Sequence, residues 1–446
     1  MKRERFITFL EDNILSMFTG SEIVGEEESG PRDAFVAQGS GGTLLVKFST
    51  DQNYRFIIKR VQPFKQFEVS LVRSVVNEMR KIYDADLSDD FIHGLESQVT
   101  QKAICMALSK GAFKTLDNLL TTVASWGLRT YEGKRARFGF IITSKRKGKS
   151  GLANMHISHV LKRDFSALLS DGVKTCLMVS ADGYIDGYQY FTKPTKDNLL
   201  APLDYLSVAD ACVGAKIGVC LIEQGDILIF KDKQLLFAKR NGAWVCFSHE
   251  EIIGKLAERS GEVEEVRRAI YLSALDTSFA RNGGCIVHVN NAEKYNILKH
   301  IDISDLLFKD CYEYKQQEAI NHSFFYDAQL QEDVPSFETF LKEDKCIKSA
   351  NLIKIINGRK FHEIDRKLRE ELIGIDGATV IDYEGNILAV GAIIKIEAGS
   401  MGGGRLAAAK TLSNYGIAMK ISADGSIEGF RMDRNKLRVR PIFVIG

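Results

Sequence analysis

Apolar and β-branched residues alternate or run together over 378–381 and 387–396. The tetrapeptide Tyr383-Glu384-Gly385-Asn386 between them predicts two buried strands joined by a turn. Gly402-Gly403-Gly404 follows, then Arg405 and a helix-forming run over 406–412, so the chain should pass from strand through glycines into a helix N-terminus. Nearer the start, Phe6, Phe9, Leu10, Ile14, Leu15 and Phe18 keep helical spacing until Gly20, and short strands are expected at 34–37, 43–48 and 54–58. Val69, Leu71, Val72, Val75 and Met79 mark a helix over 67–83, with further helices at 95–109 and 113–127. A strand at 138–143, a β-rich stretch over 216–247, helices at 250–258 and 263–279 and a strand at 285–289 complete the middle of the chain. Beyond these, 312–321, 337–345 and 366–372 read as helices and 439–445 as a last strand.

The order of elements implies an α/β protein in three parts: an α+β region over 1–128, an α/β domain with a β-rich end over 129–260, and a mixed sheet flanked by helices over 261–446, interrupted by an insertion around 311–348. An internal echo supports a shared plan. The segment 174–188 (KTCLMVSADGYIDGY) resembles 417–430 (IAMKISADGSIEGF), and 218–230 (GVCLIEQGDILIF) is a third variant. The three read as hairpins built on Asp-Gly or Gly-Asp turns, with domain duplication as the alternative.

Composition narrows the class. With 45% hydrophobic and 26% charged residues there is material for ordinary cores, and a formal net charge of +2 gives no electrostatic ground for bulk binding to nucleic acid or membrane. The eight cysteines are scattered without any CxxC and read as reduced, buried thiols of a cytoplasmic protein. No run approaches the ~18 apolar residues that cross a bilayer; the best, 211–222, is broken by Lys216. The basic start, Lys2-Arg3-Glu4-Arg5, is followed by Glu11 and Asp12 rather than by the apolar core of a leader.

Candidate chemistry centres on 375–430. A glycine loop entering a helix suits phosphate, because unpaired amides and the positive end of the helix dipole converge there. Asp376 with Arg405 and the glycines therefore suggests a nucleotide. Elsewhere, Thr143-Ser144-Lys145-Arg146-Lys147-Gly148-Lys149-Ser150 imitates a P-loop, yet the spacing puts Thr143 where glycine is required, and four cations in five residues suit a solvated hairpin tip. His156 and His159 lack a converging acid or thiol, and His288 reads as a core residue.

The sequence Asp376-Gly377-Ala378, the step ending in Gly404-Arg405 before an Ala-rich helix, and the strand ending at Ser422 together resemble the diadenylate cyclase domain family, over about the last third of the chain. The resemblance implies condensation of two ATP molecules into cyclic di-AMP, a nucleotidyltransferase reaction needing Mn²⁺ or Mg²⁺ and facing sites in at least a transient homo-oligomer. Residue by residue it implies a metal carboxylate at Asp376, with Asp424 near the place of a second acid. Gly377, Ala378, Ala392 and Ile393 would lie against the nucleotide, Gly403, Gly404 and Arg405 at the triphosphate, and Ser422 at a phosphate. The chain departs from the family where Leu406 and Ala407 replace a His and a second Arg, and where Ala423 replaces a Glu. A weaker resemblance, through Trp126-Gly127-Leu128-Arg129-Thr130-Tyr131-Glu132-Gly133, is to a sensor domain found ahead of such cyclases; a buried Trp beside an Arg-Glu pair bracing a turn explains the same residues. A nucleotide-sensing homologue without catalysis, and an assembly scaffold, remain as alternatives.

Overall fold

Helical spacing near the N-terminus gives α1, Arg3–Leu10, which continues as a π-turn over Glu11–Leu15 with Ile14 buried. The computed structural model describes residues 3–60, 62–83, 89–109, 111–127, 130–131, 133–144, 155–162, 169–191, 197–257, 263–324, 335–396, 403–433 and 438–446. The basic tip at 145–150, Leu128, Arg129, Glu132 and Gly402 lie outside the described residues. The chain divides into two compact units, residues 1–254 and 255–445, so the position expected for a domain start, 129, falls inside the first.

In the first unit, β1 (Glu22–Glu28), β2 (Val36–Gln38), β3 (Thr43–Val46) and β4 (Tyr54–Lys59) form an antiparallel sheet in the order β1-β4-β3-β2. Helices α2 (Gln66–Tyr83), α3 (Asp89–Leu108) and α4 (Phe113–Trp126) follow. On α4, Leu116, Leu119, Leu120, Val123 and Trp126 recur at helical spacing and are all buried. Fully burying each such side chain stabilises the fold by about 1.5–3 kcal/mol. Trp126 packs edge-on against Phe138, so its burial accounts for its place in the sequence.

A two-stranded ribbon, β5 (Thr130–Tyr131) and β6 (Lys134–Arg135), precedes β7 (Phe138–Thr143). Then come α5 (Ile157–Leu161), β8 (Thr175–Ser180), β9 (Ile185–Tyr190), α6 (Leu206–Ala211), β10 (Ile217–Leu221), β11 (Ile227–Lys231), β12 (Gln234–Arg240), β13 (Ala243–Cys246) and α7 (His249–Lys255). The last seven long strands make one sheet, ordered β13-β12-β11-β10-β7-β8-β9, in which only β7 and β8 run parallel. His156 caps α5 by accepting from the Ser158 amide, a structural use of that histidine.

The second unit opens with α8 (Glu264–Phe279) and the central strand β14 (Gly284–Val289). The segment around 311–348 carries α9 (Lys309–Phe324) and α10 (Phe337–Phe340), and the chain continues through α11 (Ile347–Ile356), α12 (Arg366–Gly374), β15 (Ala378–Asp382), β16 (Ile387–Ala392), α13 (Gly404–Leu412), β17 (Gly416–Ile421), β18 (Ile427–Asp433) and β19 (Arg438–Ile445). The sheet order is β16-β15-β14-β17-β18-β19, with β14 and β15 the one parallel pair. Cys285, Val287 and Val289 on β14 face a core shared with Ala408, Ala409 and Leu412 of α13.

Six strands of the first mixed sheet, β9-β8-β7-β10-β11-β12, follow the plan of the second, β16-β15-β14-β17-β18-β19, and β13 is extra. The pair Phe140↔Leu177 stands where Ile286↔Thr379 does, Ile142↔Ile217 where His288↔Ile417 does, Gly218↔Phe230 where Ala418↔Phe430 does, and Val179↔Ile185 where Ile381↔Ile387 does. This corrects the echo as read from sequence. The hairpin at 175–188 corresponds to β15–β16, and 218–230 is the counterpart of 417–430. The plan of the sheet is therefore duplicated, which turn geometry alone would not require.

All eight cysteines are buried and free. Among the described residues no helix is long and apolar enough to cross a membrane.

Candidate functional site

Pairing decides which residues of the second unit can meet. Because β14 runs parallel to β15 but antiparallel to β17, with Gly284 opposite Ile421, the starts of β14 and β15 lie at the same end of the sheet as the end of β17. Ala378 pairs with Ala392, so the end of β16 is there too. Asp376-Gly377, Gly391 to Ile393, Gly283 and the turn from Ser422 to Ser426 thus gather at one edge. The parallel register, Ile286 opposite Thr379, puts Gly283 and Asp376 just ahead of neighbouring strands at that end.

Two glycines build the corner that presents Asp376. Gly377 has φ +110°, and a Cβ there would sit 2.4 Å from the carbonyl carbon of Gly391; Gly391 has φ +59°, and its Cβ would meet Ile375 Cγ2 at 2.5 Å. Only glycine lets these two backbones cross so closely. Behind the corner, Asp365 caps α12 through the amides of Lys367 (2.8 Å) and Leu368 (3.4 Å), and Thr379 Oγ1 donates to Leu372 O at 3.1 Å. Arg366 meets Asp276 of α8 in a buried two-pronged ion pair, Nε to Oδ2 at 2.6 Å and Nη2 to Oδ1 at 2.8 Å. The helix that leads into Asp376 is therefore tied to the helix that leads into Gly283. Asp376 itself is exposed and, among the described residues, its carboxylate has no hydrogen bond or ion pair.

Arg405 comes to the same edge from α13. Its guanidinium lies against Gly283, where a Cβ would be 2.2 Å from one terminal nitrogen and 2.6 Å from Cζ. It also lies near Cys285, whose thiol is pushed up to about 12 by burial, with Arg405 pulling the other way. Arg405 is exposed and makes no ion pair among the described residues. Among the described residues the first turn of α13 has no side-chain cap, Gly403 has φ +91°, and the space around a Cβ at Gly403 or Gly404 is open. Uncapped amides beside a guanidinium make a place where an anion is stabilised by both the helix end and a fork of N–H donors.

The turn after β17 is rigid. Gly425 N donates to Ser422 O (2.8 Å) and Ser422 N to Ser426 O (2.9 Å), while Ser278 of α8 donates its hydroxyl to Gly425 O. Asp424 Oδ1 accepts from both the amide (2.8 Å) and the hydroxyl (2.9 Å) of Ser426, and the amide bond above all holds its carboxyl below the usual carboxylate range, with Lys420 and Arg281 adding to it. Lys420 is held by Glu428 at 2.5 Å.

Of the positions expected to line a nucleotide, Ala378 and Ala392 are completely buried, because β15 and β16 are covered on both faces. Ile393, just past the strand, is 66% exposed and flat against solvent beside the Asp376 corner. Leu406 packs against the core, so the residue after Arg405 turns away from the edge. Sequence reasoning missed Gly283 as the seat of Arg405 and Gly391 as the partner of Gly377. A glycine opening β14 was the available signal, but the residue it serves is far along the chain. Among the described residues no group of three metal-ligating side chains is present.

Comparison with protein-family models, with curated proteins and with solved structures gives no match.

Proposed function

We propose that the edge formed by Asp376, Gly403, Gly404 and Arg405 binds the triphosphate of ATP, and that the protein is a diadenylate cyclase of the cytoplasm governed by its first unit. The observation that carries this reading is the pair of exposed charges at one sheet end, unpaired among the described residues. A guanidinium seated on Gly283 and a carboxylate presented by the Gly377–Gly391 crossing belong to the same end of the sheet, with the N-terminus of α13 beside the guanidinium. Among the described residues neither charge closes on a partner, which suits a ligand carrying both negative phosphates and a cation.

Arg405 and the first-turn amides would hold the phosphates, and Ile393 offers an apolar surface to the base. Asp376 fits Mn²⁺ or Mg²⁺ in the way usual for nucleotide sites, one carboxylate with phosphate oxygens completing the sphere. When bound, the cation would neutralise phosphate charge. Asp424 fits that role less well, since Ser426 already occupies its oxygen. In the reaction, the 3′-oxygen of one ATP bonds to the α-phosphorus of a second and the bond to pyrophosphate breaks, the hydroxyl proton passing to solvent; repeated in the other direction, this closes cyclic di-AMP. The protein's share is alignment and charge. One such edge holds one ATP, so the reaction calls for a homo-oligomer. No membrane or nucleic acid is needed.

A second reading, a nucleotide sensor without catalysis, is favoured by Leu406, Ala407 and Ala423, which leave Arg405 as the one cation of the α13 first turn. Each missing phosphate contact is worth about 2–4 kcal/mol in a transition state. The test is incubation of the purified protein with ATP and Mn²⁺, beside Asp376→Asn. Cyclic dinucleotide that disappears in the variant supports the cyclase. Saturable ATP binding without product supports the sensor, and absence of both at millimolar ATP overturns the nucleotide reading and leaves a scaffold.

A further inference from the structure

The duplicated sheet allows the same corner to be inspected in the first unit. The turn Ile222 to Asp226 reproduces Ser422 to Ser426 bond for bond: Ile222 N donates to Asp226 O at 3.0 Å and Gly225 N to Ile222 O at 2.9 Å, with Gly225 at φ +87° and Gly425 at φ +91°. The strand registers then equate Arg137 with Gly283, Lys174 with Asp376, Thr175 with Gly377 and Glu223 with Ala423.

These substitutions change what the corner can accept. A guanidinium is again present, now from Arg137, but Glu223 pairs with it at 3.2 Å and the Tyr205 hydroxyl lies within hydrogen-bonding reach of it. Tyr205 is 6% exposed and stacks on Phe230. Where the second unit presents an unpaired carboxylate, the first has Lys174, and the neighbouring Asp171 is consumed by the amides of Val173 (3.0 Å), Lys174 (2.8 Å) and Thr175 (2.9 Å). The segment 170–172 roofs the strand end: Ser170 Oγ bonds both N and O of Gly139, and a Cβ on Gly139 would meet Gly172 Cα at 2.4 Å.

We infer that the chain holds two copies of one domain, of which the second carries an open phosphate site and the first carries the same site occupied from within, the Glu223 carboxylate standing where a ligand phosphate would stand. The inference rests on the phosphate reading of the Arg405 edge. Its consequence is one nucleotide per chain.

Crystals soaked in tungstate, a heavy mimic of phosphate, test it, read by anomalous scattering. The expected result is a peak against Arg405 and the first amides of α13 and none against Arg137, with a second peak gained at Arg137 in Glu223→Gln. A peak at both corners of the unaltered protein overturns this inference and leaves the phosphate reading of the Arg405 edge standing. No peak at Arg405 overturns that reading, and the asymmetry with it. A Glu223→Gln protein that gains no peak overturns the assignment of Glu223 as the occupying anion. In solution, equilibrium dialysis with ATP should give one site per chain, abolished by Arg405→Ala; two sites per chain, or half the binding surviving in that variant, would contradict it.

Discussion

Gly283→Ala isolates the seat of Arg405 from the rest of the fold. The backbone of Gly283 lies outside the left-handed region, so alanine is sterically allowed there, yet its methyl would fall 2.2 Å from a guanidinium nitrogen and 2.6 Å from Cζ. Ordinary contact needs roughly 3.5 Å or more, so the guanidinium must withdraw by more than about 1 Å. Arg405 is exposed and long, and can swing away at little cost; stability should change by no more than about 0.5 kcal/mol. Binding should suffer more. A charge-assisted bond from Arg405 to a phosphate is worth about 1.5–3 kcal/mol, so ATP affinity should fall roughly 10- to 100-fold. Paired calorimetric titration with ATP and urea unfolding separates the two quantities. Unchanged affinity would refute the role given to this seat, and a stability loss above about 2 kcal/mol would show that the methyl disturbs the strand rather than the side chain on it.

Gly377→Ala forces both a φ of +110° and a contact of 2.4 Å with backbone that cannot yield, so it should cost about 2–4 kcal/mol in urea unfolding and displace Asp376. Arg366→Ala leaves Asp276 charged and buried, an expected loss of about 3–5 kcal/mol, whereas Arg366→Met with Asp276→Leu should be far milder; equal losses would contradict the buried-pair account. His288 is 3% exposed with Nε2 unpartnered, and burial above all, with Arg267 nearby opposing its charge and Asp382 favouring it, pulls its imidazole down to about 4 from 6.5. Its neutral form is the folded one, so the contribution is complete above pH 6.5 and is lost as pH falls through 4, by roughly 3 kcal/mol. His288→Phe should flatten that part of the stability profile measured by unfolding between pH 7 and 4; an unchanged slope would contradict it.

Local structure was legible in the sequence where one element sufficed. The strands on either side of the 383–386 turn and the helix after Gly403 could be read because alternation and turn residues act over a few positions. The pairing of copies was not legible, because Gly183, Gly225, Gly385 and Gly425 all close their turns at φ near +90°, so every hairpin resembles every other until the register of the sheet is known. Ala378 and Ala392 illustrate a further limit. A strand buried on both faces gives no sign of which side chains reach a surface, and both proved to be core. Gly283 and Arg405 meet only because β14 and α13 pack together, a long-range fact that neither neighbourhood encodes.

If the Arg405 guanidinium binds the phosphates of a nucleotide, titration of ATP with Mn²⁺ into the unaltered protein and into Arg405→Ala will separate the two proteins. Saturable binding in the first, weakened about 10- to 100-fold or abolished in the second while urea unfolding stays the same, is the predicted result. Equal affinity in both proteins, or no saturable binding to the unaltered chain at millimolar ATP, would contradict it.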